Sequence, residues 1–427
     1  MSKRIAIIGA GPAGLMAAEV LSQYGYSLHV YEQKPSAARK FLMAGKTGLN
    51  ISHAEAVPQF IQRYDQADWL APWIQRWDAG WIQDWMAGLG IRSYVGSSGR
   101  VFPVEMKAAP LLRAWLKRLA DNGVQFHYRQ QVKGLEQQQL QILDLKHGQL
   151  RSEAFDAIVL ACGALSWSQL GSDGAWQNWL RPEQIEPFQA SNAGVEYPWS
   201  SFMQPVFGQP LKRVEAWVEP HTRSIGDIVL THYGLESGLI YKQGRALRAQ
   251  LKQQQRMVLF LDLLPEQSQA QLAKKLHPSK KQSLSNVWRK AGLDAAKSSL
   301  VRELVDKSLW HQPEALAAQV KQLRIELTGF RPIEEAISCA GGIKRSAFSP
   351  QLQLKDHPAV FCCGEMLDWE APTGGYLLQA GFASVDYVAI RRAEDLGSFG
   401  GVVDAPARIL TAAWLGKTRL IDNMAVG

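Results

Sequence analysis

"RIAIIGAGPAGLMAAEVLSQYGYSLHVYEQ", residues 4–33, decides the fold. Ile5 to Ile8 is an unbroken apolar run, the pattern of a strand buried on both faces. Gly9, Gly11 and Gly14 give G-x-G-x-x-G, with Pro12 and Ala13 inside the fingerprint. Leu15 to Tyr24 carries apolar residues at helical spacing. Leu28 to Tyr31 is a second strand, closed by Glu32 and Gln33. The spacing predicts a βαβ unit of about thirty residues with an acid at its end. Each glycine has its own task. Gly9 makes the tight turn, Gly11 lets backbone approach a pyrophosphate, and Gly14 lets the helix sit close to the sheet. Free N–H groups and the positive helix end attract phosphate, while Glu32 accepts from a ribose hydroxyl and repels a 2′-phosphate. The expected ligand is an adenine dinucleotide, FAD or NAD. The bland alternative is an ordinary βα turn.

The chain has 427 residues, which suggests two or three domains. Its apolar and charged fractions are those of an ordinary globular protein. No apolar run approaches the roughly eighteen residues of a membrane span. The N-terminus runs straight into the first strand, without a signal-peptide apolar region and cleavage site, so a cytoplasmic protein is expected. Cys162, Cys339, Cys362 and Cys363 form no C-x-x-C pair. That argues against zinc, a disulfide framework and dithiol chemistry, and reads as small residues in buried strands. No metal site is expected. The formal charge is +8, and part of it is local: Glu266 to Lys321 holds ten Lys/Arg against five acids. Such a surface could meet nucleic acid or an anionic substrate, although a solvated helical face is the commoner outcome.

Residues 54–88 read as helical, with Trp69, Trp73, Trp77, Trp81 and Trp85 fanning over one broad face. That face either packs on a neighbouring domain or walls a ligand. Residues 185–264 read as β-rich, and the stretch from Pro265 as helical. From 334 the strand-and-glycine character returns in "AISCAGGI", "AVFCCGEMLD" and "PTGGYLLQAGFAS". The expected architecture is α/β: a Rossmann-like FAD/NAD(P)-binding domain interrupted by a β-barrel-like subdomain and a helical subdomain. The segments are 1–184 (first part of the FAD domain), 185–265 (β-rich insert), 266–330 (helical insert) and 331–427 (second part of the FAD domain).

Gly45-Lys46-Thr47 resembles the end of an ATPase phosphate loop. That loop needs a glycine five positions earlier, where Lys40 stands, and a strand before it, which "PSAARKFLM" does not supply. Three features favour FAD over NAD. The fingerprint begins at residue 5. A second glycine-bearing loop, Arg39 to Asn50, follows the acid closely. A late strand ends at Gly364-Glu365 and leads into Thr373-Gly374-Gly375-Tyr376. A helix N-terminus near Gly374 and Gly375 would stabilise negative charge on a reduced flavin. There is no second G-x-G-x-x-G, so a dedicated NAD(P)H domain is not expected.

The fingerprint, "RKFLMAGKTGLNIS" (39–52), "GRVFP" (99–103), "THYGLESG" (231–238), "DLLP" (262–265), "AISCAGGI" (336–343) and "GEMLDWEAPTGGYLLQAGFAS" (364–384) together resemble the YhiN-like, or aminoacetone-oxidase-like, family of bacterial flavoproteins. The resemblance implies non-covalent FAD and an oxidoreductase without an assigned substrate. By position, Gly9, Gly11, Gly14 and Glu32 would hold the ADP half. Lys40, Gly45, Lys46, Gly48 and Asn50 would lie along the pyrophosphate and flavin. Gly364, Glu365 and Asp368 would reach the ribityl chain, and Gly374, Gly375 and Tyr376 the flavin ring. Ala161 and Gly163 would lie near the adenosine, and Gly341 and Gly342 near the flavin pocket. Lys46 and Thr47 replace the glycine-rich stretch many members carry, marking a subgroup. The last forty residues depart from the family pattern.

The expected function is FAD-dependent oxidation or reduction of a small organic molecule through flavin N5, with NAD(P)H open as a transient donor. No catalytic base is assigned. His53, His232, Tyr233 and Arg331 lie beside motifs, each with a packing or capping explanation. The alternatives are an RNA-binding flavoprotein using the basic insert and a redox-inert flavin-binding protein. Oligomeric state is left open.

Overall fold

The computed structural model describes residues 2–45, 48–277 and 282–383, and, as backbone only, strands Ile390–Arg392, Ala407–Leu415 and Thr418–Val426. These three strands pair antiparallel. The side chains of the atypical last forty residues, and Lys46 with Thr47, lie outside the described residues. The chain divides into two compact units, residues 1–189 with 339–427, and residues 190–338.

In the first unit the opening stretch forms strand β1 (Arg4–Ile8), helix α1 (Pro12–Leu21) and strand β2 (Ser27–Glu32). Helix α2 (Arg39–Ala44) follows. Strands β3 (Gln125–Tyr128), β4 (Ala157–Leu160) and β5 (Val360–Cys362) complete a parallel sheet in the order β5-β4-β1-β2-β3. β1 and β4 are almost wholly buried, as parallel strands covered on both faces must be. Because the strands run parallel, Gly9, Glu32, Ala161 and Gly364 fall at one edge, the carboxyl ends where open α/β sheets bind ligands. Helix α3 (Tyr376–Ala383) follows β5 in this unit.

The five tryptophans do not share one helix. Asp78 accepts from Trp81 N–H at 2.9 Å and starts a new helix, Ala79–Gly88, after Ala67–Arg76 has ended. A capping carboxylate at this point outcompetes continuation of the four-residue pattern. Trp69 lies in the core that holds Ile8 and Tyr376; Trp85 lies in the core beneath α1, edge-on to Trp115 at 4.8 Å. The rings pack on the two sides of the sheet rather than forming one face.

The second unit is built on a seven-stranded sheet from Val195 to Phe330 whose described pairings are antiparallel. It also contains a 17-residue helix, Gly238–Gln254, within the stretch read as β-rich. Ser237 caps it, accepting from Leu239 and Ile240 N–H. Its buried face includes Gln243, Gly244 and Arg248, which blurs the apolar period. One hydrophobic core joins this sheet to helices Gln269–Leu276, Leu284–Ala291, Ala295–Leu304 and Pro313–Lys321. Part of the basic charge turns inward. Lys297 is 6% exposed, Lys321 Nζ bonds Asp262 and the carbonyl of Leu264, and Arg302 lies over Trp288.

Candidate functional site

The fingerprint turn is held by contacts that leave no room for side chains. A Cβ on Gly14 would stand 1.9 Å from Gly9 O, and one on Gly9, at φ +102°, 2.4 Å from Ala161 O. Gly11 is different. A Cβ there would meet nothing within 4 Å, so packing does not require glycine at this position. It caps α1 with Pro12 at the first turn, and Ala13 follows. Open space over the N-terminus of α1 is what a pyrophosphate needs.

Glu32 ends β2 beside this turn. Its Oε2 accepts from Ala10 N–H at 3.0 Å and its Oε1 from Lys34 N–H at 2.8 Å. Burial pushes its pKa up, against those two bonds and the charges of Lys34 and Arg39. The acid therefore fixes the turn through both of its carboxylate oxygens. Gln33 Nε2 donates to Gly171 O at 2.8 Å and to Asp173, tying the strand end to the loop after β4. In that loop Gly163, at φ +73°, leaves room for Ser172, while Ala161 N–H donates to Ile8 O.

The strip 39–50 lies alongside. Gly45 follows the C-terminus of α2 rather than opening a helix, so a phosphate would meet carbonyls there. A Cβ on Gly45 would strike Ala108 at 2.5 Å, and one on Gly48 would meet Met106 at 3.1 Å, so both glycines serve packing. Lys40 reaches the loops after β4 and β5: its Nζ donates to Ser166 Oγ in the first at 2.7 Å and to Glu365 Oε2 in the second at 2.9 Å. Among the described residues of this strip, Asn50 Oδ1 and Arg39 Nε are buried without a protein partner. Each such atom costs about 1–3 kcal/mol when left unsatisfied.

After β5, Gly364 at φ +77° places its Cα against Ala13; a Cβ would come within 2.6 Å of that side chain. Gly341 and Gly342 lie where a Cβ would strike backbone, of Pro187 and of Met366 respectively. Asp368 is half-buried, and burial, with Asp65 and Glu186 nearby, raises its pKa to about 6. Gly375 presses on the backbone of Ser52, and Gly374 approaches Asn50, 3.7 Å from its Nδ2 to the position of a Cβ. The strips around residues 50 and 375 therefore meet.

Tyr376 is engaged by protein. Its hydroxyl donates to Glu55 Oε1, and its ring lies 5.5 Å from His53. Glu55 also binds Arg63 at 2.6 Å; these bonds outweigh burial and lower its pKa. His53 Nδ1 accepts from Glu55 N–H at 3.2 Å and its Nε2 lies 3.0 Å from Ser98 O. Arg39, Glu55, Arg63 and Ser166 carried no assignment in the sequence. Arg39 alone had a signal, a cation in the strip next to Lys40. His232, Tyr233 and Arg331 lie in the other unit. There Tyr233 OH donates to Glu236 at 2.8 Å, Arg331 stacks on Tyr233 at 4.4 Å, and His232 meets the same ring edge-on. Among the described residues, no group of three or more His, Cys, Asp or Glu could hold a metal, and no helix is long and apolar enough to cross a membrane.

The model of the HI0933-like protein Rossmann domain matches residues 3–391. The 3-dehydro-bile acid delta(4,6)-reductase of Clostridium scindens is 23% identical over 417 residues, covering 92% of this chain and 99% of the reductase. A pantothenate synthetase of Caulobacter vibrioides is 56% identical over only 66 residues, 15% of this chain and 23% of the synthetase. Among solved structures, the open conformation of a flavocytochrome c3 fumarate reductase aligns at TM-score 0.49 and 12% identity, covering 90% of this chain and 77% of that one.

Proposed function

We propose, on the premise that the chain belongs to the HI0933-like Rossmann-domain family, that it is an FAD-dependent oxidoreductase acting on a small organic molecule. The observation that carries the cofactor is Asn50 Oδ1, buried without a partner where the strips 39–50 and 374–375 meet. A flavin or ribityl hydroxyl would satisfy it. Gly11 leaves space for the pyrophosphate, Arg39 and Lys40 bring positive charge, and Glu32 stands ready for a ribose.

The flavin supplies the electron chemistry at N5. The chain positions and polarises. The N-terminus of α3, after Gly374 and Gly375, would favour negative charge on a flavin held beside it. Asp368, its pKa raised to about 6 by burial, is suited to hold or release a proton. His53 and Tyr376 have their polar atoms hydrogen-bonded, which supports a cofactor held without a covalent link. The reductase relative acts, by its name, on a 3-dehydro-bile acid. At 23% identity this supports reduction of an unsaturated carbonyl compound as the reaction class, not that acid as the substrate.

The test is anaerobic. The protein is reduced with NAD(P)H or dithionite, then mixed with a panel of unsaturated ketones while flavin absorbance is followed. Reoxidation by at least one member is expected. A flavin that no reductant bleaches would establish a redox-inert binder instead, and a reduced flavin that no member of the panel reoxidises would overturn the reaction class.

A further inference from the structure

His29 on β2 and His127 on β3 stand apart from the site. His29 Nδ1 lies 3.1 Å from His127 Nε2, the ring centres are 5.4 Å apart, and the planes differ by 14°. The centre separation exceeds the N···N separation by about the reach of the two rings. The imidazoles therefore lie end to end in nearly one plane, with a proton on the line between them. His29 Nε2 faces Ser27 Oγ at 3.1 Å. His127 rests on the Tyr31 ring at 4.7 Å, and Phe155 stands beside His29 and Tyr31.

The charged groups facing the pair come from two other strands. β1 brings Arg4, and strand Gln149–Ala154 brings Arg151 and Glu153. The Glu153 carboxylate is already shared: Arg4 binds it at 3.1 Å, Arg151 at 2.7 Å, and Tyr31 OH donates to it at 3.3 Å. It has little left to offset new positive charge.

Two neutral rings make one N–H···N bond, and a single added proton keeps it. A second added proton sets N–H against H–N and places two cations in contact. Burial already works against charging either ring. The pair joins β2 to the edge strand of the sheet, in a register that sets Tyr31 opposite His127 and Glu32 opposite Tyr128.

We propose that the His29–His127 pair is an acid-release latch: it fastens the edge strand to β2 near neutrality, opens on double protonation, and so loosens the strand end that carries Glu32 and with it the hold on the dinucleotide. The last step rests on the functional reading above. The sign follows from linkage. Both histidines have folded pKa values below 6.5, so the unfolded chain takes up protons first as pH falls through 6.5. The latch's contribution is full above that pH and is lost below it.

The test compares wild type with His127→Gln, whose amide N–H still donates to His29 but takes no proton. Unfolding midpoint and release of free flavin are followed between about pH 7.5 and about pH 5.5, the range of histidine titration. Wild-type release should rise about tenfold on acidification, and that of the variant less than about threefold. Equal pH slopes for midpoint and release in the two proteins would overturn the latch. A slope difference in the midpoint alone would overturn its coupling to the dinucleotide. A protein without flavin would overturn the functional reading, and the midpoints would still decide the latch. If His127→Gln does not fold, His29→Asn is compared in the same way.

Discussion

The fingerprint turn and the strip 39–50 are both glycine-bearing, and they differ in what explains them. At Gly9 and Gly14 the protein itself forbids a side chain, because neighbouring backbone stands within 2.4 Å of where a Cβ would go. Gly45 and Gly48 of the strip are likewise accounted for by Ala108 and Met106. Set against these are positions that packing leaves unexplained: Gly11 with open space beside it, and Asn50 Oδ1 and Arg39 Nε buried without partners. The difference teaches where to look for a ligand. Residues the fold requires say little about cofactor, whereas residues the fold does not require mark the surface it touches.

Substitutions on the two sides of this divide should separate cleanly. Gly14→Ala drives a methyl into Gly9 O and should cost roughly 3–5 kcal/mol of stability, read as a lost or strongly lowered denaturation midpoint. Gly11→Ala should leave the midpoint of the flavin-free protein within about 0.5 kcal/mol and weaken FAD binding by about 2 kcal/mol, measured by titration. If both variants lose stability alike, the division fails. Asn50→Leu should be neutral or mildly stabilising without flavin and should lose about 1–2 kcal/mol of FAD affinity, because it removes an acceptor that only the ligand satisfies.

The smallest effect concerns Asp368. Its folded pKa of about 6 lies above the usual 3.8, so the folded state binds more protons between those values and loses stability as pH rises through them. Asp368→Asn should raise stability at pH 7 by on the order of 1 kcal/mol, after allowance for solvent screening, and the gain should vanish below about pH 4. A gain that persists in acid would place its cause elsewhere.

The first thirty residues made the Rossmann unit legible because the signals are local: an apolar run, a glycine period and an acid at a fixed distance. The family motifs carried the resemblance onward to Gly374 and Gly375. What sequence did not disclose depends on long-range partners. The break at Asp78 is a contest between a four-residue tryptophan period and one capping bond. The helix Gly238–Gln254 hides because it buries a glutamine, a glycine and an arginine where apolar residues would announce it. The bond from the Tyr376 hydroxyl to Glu55, 321 positions away in the chain, has no local signal either. Arg39 could be suspected as a cation, but that its Nε is buried without a partner is a property of the folded neighbourhood alone.

The most direct measurement is to denature the purified protein and identify what it releases. The account predicts a yellow protein that yields about one intact FAD per chain in the soluble fraction, leaving a colourless polypeptide. A colourless protein that takes up no flavin when FAD is added back, although it is folded, would contradict it.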